Sequence, residues 1–198
     1  MIYYHNDGDG LFSDYTSRAG LDGQVGGLNI VQTDYNDDGW MDVLVMRGGW
    51  LGNAGQMRVS LLRNNGDGTF SDVSDEAGIE GVGKGNSAIW WDYNEDGFPD
   101  LYVSNDYRGP DQLWHNNGNG TFRDVANTAL PYLPWSSMGA DHGDIDNDGH
   151  TDFFAADMRG STAARRKISL DDMRKDKWFL EFTRPRQSRR NMLYRNTG

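Results

Sequence analysis

Apolar residues in this chain come in short runs that are separated by clusters of Gly, Asn and Asp. A typical run is Met41–Met46, which is rich in β-branched and other apolar side chains and shows no helical period. Asn-Gly and Asp-Gly pairs between such runs favour hairpin turns. No run is as long as the roughly eighteen consecutive apolar residues that indicate a membrane-spanning helix. The pattern predicts an all-β chain without a transmembrane segment.

The polar clusters include three copies of one acidic segment, at 34–42, 92–100 and 144–152. Each copy has oxygen-bearing side chains at positions 1, 3, 5 and 9 and a glycine at position 6. Calcium takes about six to eight oxygen ligands in a flexible geometry, and glycine permits the sharp turn of a loop that coils around an ion. We therefore predict three Ca²⁺ sites, each held by those four side chains and the position-7 carbonyl, with a water completing the shell. The predicted ligands are Asp34, Asn36, Asp38, Trp40, Asp42; Asp92, Asn94, Asp96, Phe98, Asp100; Asp144, Asp146, Asp148, His150 and Asp152.

The acidic segments do not match an EF-hand. That motif requires a bidentate Glu at position 12, where this chain has Val45, Val103 and Ala155. Apolar β-prone runs follow each segment, so the ion is expected in a turn between two strands. An acidic turn without an ion is the alternative, but three copies with their oxygen side chains in register favour metal, and without an ion the carboxylates crowded into one loop would repel one another. The third copy has four carboxylates, and we expect it to bind calcium most tightly.

A second motif, Asn-x-Gly-x-Gly, alternates with the acidic segments at 6–10, 64–68 and 116–120, and a shortened copy stands at 196–198. Each full copy precedes the next acidic segment by 28 residues, counted from its Asn. Such regular spacing indicates a repeat architecture. The strands predicted for one unit are Ser87–Trp91, Asp100–Ser104, Gln112–His115 and Thr121–Val125.

Four short antiparallel strands per unit are typical of a β-propeller blade. The predicted fold class is all-β: about three blades of a partial or open β-propeller, in a single domain of residues 1–198. The predicted divisions are a partial blade 1–30, blades 31–86 and 87–138, and a partial blade 139–198. Too few strands are available for a closed ring, so we expect a partner or the remainder of a longer chain to complete it.

Charge is unevenly distributed along the chain, whose formal net charge is −11. Most of the basic residues lie after residue 158, and a basic insertion of about 159–190 lengthens the last unit. We predict a short helix there, to about Phe182. The insertion either binds an anionic partner or folds back onto the acidic blades. The acidic remainder makes nucleic acid an unfavourable partner, and without cysteine no disulfide can staple the fold.

The combined motifs resemble FG-GAP/VCBS-type repeats, the calcium-loop β-propellers related to integrin α-subunit heads, and most closely their cartilage-acidic-protein-like group. The residues that carry the resemblance are Gly143–Asp152, Leu61–Val73 and Ser137–Asp141. It implies a propeller with calcium between the first two strands of a blade, in a secreted, cell-surface or periplasmic setting. It does not imply one activity, because such a fold hosts many.

Three functions are compatible with these patterns. The favoured one is a non-catalytic binding or scaffold module with structural calcium and a protein partner. A carbohydrate-active lyase or hydrolase on a propeller is the second, with a glycan as the ligand. The enzyme hypothesis lacks a recognisable nucleophile motif, and sequence assigns no partner to His142, the histidine beside the third acidic segment. The third is anion binding through the basic insertion.

Overall fold

The computed structural model describes residues 1–48, 57–81, 83–106, 109–158 and 183–198. Its first element is an antiparallel hairpin of β1 (Tyr4–Gly8) and β2 (Leu11–Asp14). A four-stranded antiparallel sheet follows, made of β3 (Asn29–Thr33), β4 (Asp42–Met46), β5 (Ser60–Asn64) and β6 (Phe70–Asp72) in chain order. The Asn-Gly turn that joins β5 to β6 is one of those predicted from sequence.

A second four-stranded antiparallel sheet repeats this order. It consists of β7 (Gly85–Trp91), β8 (Asp100–Asn105), β9 (Gln112–Asn116) and β10 (Phe122–Asp124). These bounds agree with the predicted strands to within two residues at each end. The prediction of all-β, blade-like sheets of four antiparallel strands is thereby confirmed.

The third sheet has three strands, β12 (Ser137–Gly143), β13 (Asp152–Asp157) and β15 (Met192–Tyr194). Strand β15 lies at one edge and pairs with β13. Two further features were not predicted: the short helix α1 (Ala126–Ala129), and a parallel pair of β11 (Tyr132–Pro134) and β14 (Arg186–Ser188). The helix predicted in the basic insertion lies outside the described residues, as does most of that insertion.

The core lies between neighbouring sheets, because each sheet presents apolar side chains on both faces. Leu44, Leu61, Leu101 and Val103 are fully buried in one cluster between the two four-stranded sheets. A second cluster joins the second and third sheets, and a third joins the segments before and after the β1–β2 hairpin to the first four-stranded sheet. This stacking aligns the three acidic loops at equivalent places in successive sheets. Among the described residues, no helix has the length and apolarity needed to cross a membrane.

Candidate metal centres

The three acidic loops occupy the same place in their sheets, between β3 and β4, between β7 and β8, and between β12 and β13. Their backbones share one conformation. Glycine at position 6 has φ of 85°, 91° and 93° in Gly39, Gly97 and Gly149, as the sequence predicted. Position 4 is also left-handed, with φ near 60° in all three loops, which the sequence motif did not reveal. Two left-handed residues in six coil each loop tightly.

The carboxylate at position 1 organises the coil. Asp34 accepts hydrogen bonds from the main-chain N–H groups of Asp38 (3.1 Å) and Gly39 (2.7 Å). Asp92 and Asp144 accept the same pair of bonds in their own loops. The carboxylates at position 5 each accept a bond from the N–H of position 7. The loop backbone therefore wraps around these acidic side chains.

The carboxylate at position 9 is buried, with an exposed fraction of 1% for Asp42, 0% for Asp100 and 2% for Asp152. In Asp100 one oxygen accepts from Tyr93 N–H (3.1 Å) and the other from Asn116 N–H (2.7 Å). Asp42 and Asp152 make the equivalent pairs of bonds. Position 9 thus links the acidic loop to the first Asn of the Asn-Gly turn, a role that sequence reasoning missed. Burial raises the pKa of Asp42 to about 6 and that of Asp100 to about 7.

In the third loop the carboxylate oxygens of three predicted ligands, Asp144, Asp146 and Asp152, lie within 4.8 Å of one another. In the first loop the side-chain oxygen of Asn36 is buried and no hydrogen-bond donor within the described residues reaches it. A buried oxygen without a donor is costly unless a cation or water completes it. A hard cation such as Ca²⁺ prefers ligand sets made only of oxygen atoms, and it tolerates a flexible coordination geometry. The residues present fit calcium.

A histidine and an arginine at the end of strand three approach the acidic loops of their own sheets. Arg195 contacts Asp146 at 2.6 Å and Asp148 at 3.2 Å. His115 lies 3.3 Å from Asp100. Both residues directly precede the Asn of an Asn-x-Gly motif, as do His5 and Arg63. The matching repeat positions of His5 and His115 are visible in the sequence and indicated a structural role in the blade, but the sequence did not show that this position lies against the acidic loop.

The side chains at position 7 pack onto the Asn-Gly turn of their own sheet. A Cβ added to Gly66 would lie 2.7 Å from Trp40 Nε1. Phe98 covers Gly118 and His150 covers Gly198 in the same way. The metal-ligand role of the position-7 carbonyl stays a prediction, and so do the ligand roles of the other positions.

Two histidines near the third loop make contacts that sequence did not predict. The ring of His142 stacks on Trp91, with centroids 6.0 Å apart and an interplanar angle of 14°. His150 Nδ1 lies 2.5 Å from Glu95 of the second loop, and this contact raises the pKa of the imidazole. His142 thus has a packing partner, and His150 joins two neighbouring loops.

Comparison with known proteins identifies the repeat. The family model of the FG-GAP-like repeat matches residues 49–103 and 92–155, which together span more than half of the chain. Cartilage acidic protein 1 of Xenopus tropicalis is 32% identical over 111 residues, covering 53% of this chain. The chain spans 17% of the length of that relative. The second and third acidic loops fall within the matched segments.

Proposed function

This chain belongs to the FG-GAP-like repeat family, and on that premise we propose that it is a non-catalytic binding or assembly module of the extracellular space. Its three acidic loops bind calcium, which serves structure and not chemistry. The observation that carries the proposal is the recurrence of one loop conformation in three successive sheets, with oxygen-bearing side chains at the same four positions and the same hydrogen bonds.

Calcium would be held by the side-chain oxygens at positions 1, 3, 5 and 9 of each loop, and its charge would offset the repulsion between their carboxylates. The loop joins strands one and two, and its position-9 carboxylate joins strand three. A loop ordered in this way fixes three strands of a sheet at one end. Each bound ion therefore stabilises the folded chain. The gain in unfolding free energy is about 2.7 kcal/mol for a site when the free calcium concentration is 100 times the Kd of that site.

Two findings support an extracellular setting. The similar protein from Xenopus tropicalis is named for cartilage and for its acidity, and this chain shares the acidic character, with a net charge of −11. Extracellular modules bind calcium with Kd values of about 10⁻⁴–10⁻³ M, a range that suits exposed loops of this kind. The partner that we propose is another protein or a further part of the same polypeptide.

The experiment compares thermal unfolding in calcium and in chelator, separately for the parent chain and for the variants Asp34→Asn, Asp92→Asn and Asp144→Asn. The quantity compared is the Tm in calcium minus the Tm in chelator for each protein. Hydrogen bonds that a variant loses with its carboxylate lower both Tm values and so cancel from this difference. We expect calcium to raise the Tm of the parent, and each variant to lose part of that increase.

The matched control is Asp37→Asn, which removes one charge from the same loop at a position that is not a predicted ligand. Position 4 of the third loop is already an asparagine, Asn147, with the same left-handed φ. This control should keep the full calcium response. Equal Tm values in calcium and chelator for the parent chain would refute the calcium proposal.

A further inference from the structure

Two phenylalanines of the Asn-Gly motif fill the same position between successive sheets. Phe70 at the start of β6 donates its N–H to the carbonyl of Ala19 (2.9 Å), and its ring lies 6.0 Å from that of Tyr3. Phe122 at the start of β10 donates its N–H to the carbonyl of Ala77 (2.8 Å). Each phenylalanine therefore joins its own sheet to the preceding unit by one main-chain bond and by its ring, which is buried in Phe122 and half-buried in Phe70.

Each phenylalanine belongs to a hydrophobic cluster, and five members of one cluster correspond by repeat position to five members of the other. In the cluster of Phe70, three members come from the preceding unit: an apolar residue at strand three, the alanine whose carbonyl accepts the Phe70 N–H, and the apolar residue two positions after that alanine. The other two come from strands two and three of the sheet to which Phe70 belongs. The five members are Tyr3, Ala19, Leu21, Val43 and Leu62. The corresponding residues in the cluster of Phe122 are Leu61, Ala77, Ile79, Leu101 and Trp114.

The same five positions recur a third time, between the second and third sheets, where they line a groove of about 590 Å³. They are Leu113, Ala129, Pro131, Phe153 and Tyr194. Ala19 and Ala77 are 0% and 1% exposed beneath their phenylalanines, whereas Ala129 is exposed. Tyr93 also lines the groove. It corresponds by repeat position to Tyr35, whose ring centroid lies 5.6 Å from that of Phe122. Among the described residues, no phenylalanine of a fourth strand fills this third position.

The turn that would bring a fourth strand to the groove is already formed. Gly198 donates its N–H to the Asn196 side chain at 3.2 Å and has φ of 78°. Gly66 and Gly118 make the same bond at 3.0 Å, with φ of 77° and 70°, and in both cases the phenylalanine follows four residues later. The backbone leaving Gly198 thus has the geometry that precedes β6 and β10.

We propose that the groove is the docking site for the phenylalanine of an extended strand that enters through the Asn196–Gly198 turn and pairs with β15. The strand has the pattern Gly-Thr-Phe-x-Asp, with the phenylalanine four residues after Gly198. The inference deepens the proposed assembly role and rests on it, because it states what completes the third sheet.

The register follows from the other two sheets. Phe70 pairs with Asn64, and Asp72 pairs with Leu62. The docked phenylalanine accordingly pairs with Asn196, and the aspartate two residues later pairs with Tyr194. The phenylalanine N–H donates to the carbonyl of Ala129, and its ring covers the Ala129 methyl group. Pairing also satisfies main-chain groups of β15 that an open sheet edge leaves exposed.

The experiment extends the chain after Gly198 with a copy of its own residues 67–74, Asp-Gly-Thr-Phe-Ser-Asp-Val-Ser. The matched control carries the same extension with its phenylalanine replaced by alanine. We expect the phenylalanine extension to raise the Tm by about 5 °C or more, since burying one aromatic ring is worth about 2 kcal/mol in a chain of this size. Amide hydrogen exchange of β15 should slow in parallel.

The alanine control should have the Tm of the parent chain to within about 1 °C. Two outcomes overturn the inference: equal Tm values for the two extensions, or a parent chain that dimerises and stays dimeric when extended, which would mean that a second copy covers the groove. All proteins are measured in calcium and in chelator. A failure of the calcium proposal, seen as equal Tm values in both buffers, is then distinguishable from a failure of docking.

Discussion

Replacing Phe122 with alanine tests the packing between sheets on which the whole arrangement depends. Phe122 is 5% exposed, and its ring lies 5.6 Å from Tyr35 and 6.0 Å from Trp90. Truncating a buried phenylalanine to alanine costs about 3–5 kcal/mol, from lost transfer free energy and the cavity that remains. We expect the upper part of this range, because Tyr35 and Trp90 are held by the other contacts of their hydrophobic cluster and would fill the cavity only in part.

The assay is urea unfolding followed by tryptophan fluorescence, at constant calcium. With a slope of about 2–3 kcal/mol per M for a chain of this size, a loss of about 4 kcal/mol lowers the midpoint by roughly 1.3–2 M. That loss is a large fraction of the roughly 5–15 kcal/mol by which domains are stable. An unchanged slope would show that the change is in stability and not in the extent of unfolding.

Phe12→Ala is the matched control, because Phe12 holds the same place in the first Asn-Gly motif but is 62% exposed. Its truncation should change the unfolding free energy by no more than about 0.5 kcal/mol. Equal midpoints for Phe122→Ala and Phe12→Ala would refute the reasoning that these rings hold successive sheets together.

Three further predictions concern single residues. Arg195→Gln should raise the calcium affinity of the third loop about threefold to tenfold at low salt, since a positive side chain no longer repels the ion; calorimetry measures this, and unchanged affinity would contradict it. Burial raises the pKa of Asp111 from 3.8 to about 7, so the folded chain keeps this proton up to about pH 7 whereas the unfolded chain loses it near pH 4. Stability therefore falls by at most about 4 kcal/mol as pH rises between these two values. Asp111→Asn should make the measured fall in unfolding free energy over that window shallower, and an identical pH slope would count against this account. Gly66→Ala should cost at least about 1 kcal/mol in urea unfolding, because Gly66 has φ of 77° and faces Trp40; Gly26→Ala, with open space around it, should stay within about 0.5 kcal/mol, and similar losses in the two variants would disprove the argument.

The sequence predicts the strands well because turn residues mark both ends of most of them. The last strand shows this clearly. The insertion separates β13 from β15, yet β15 (Met192–Tyr194) ends just before Asn196, as the strand predicted at Gln112–His115 ends just before Asn116. Period-2 patterns and Asn-Gly turns are local signals, so they survive an insertion elsewhere in the unit.

Contacts between segments far apart in the chain could not be predicted from local sequence patterns. The parallel pairing of β11 with β14 joins Leu133 to Gln187, and neither strand has a distinctive pattern of its own. The buried role of the position-9 carboxylate also depends on a distant backbone group, as when Asn116 N–H donates to Asp100. A sequence motif identifies such a carboxylate as acidic and does not show what donates to it.

The ion pairs that Arg195 makes bear on the prediction that the third loop binds calcium most tightly. Four carboxylates predict the tightest calcium site by charge count, but Arg195 already offsets two of them, Asp146 and Asp148. Calcium must then compete with a tethered cation. The order of affinities among the three loops depends on both effects, and comparison of the parent chain with Arg195→Gln separates them.

The most direct measurement of the central claim is the calcium stoichiometry of the metal-stripped chain, determined by equilibrium dialysis or calorimetry at millimolar calcium. Three acidic loops with one conformation predict three ions per chain, reduced to two when Asp92 is replaced by asparagine. A chain that takes up no calcium, with its melting temperature unchanged by the ion, would contradict the account.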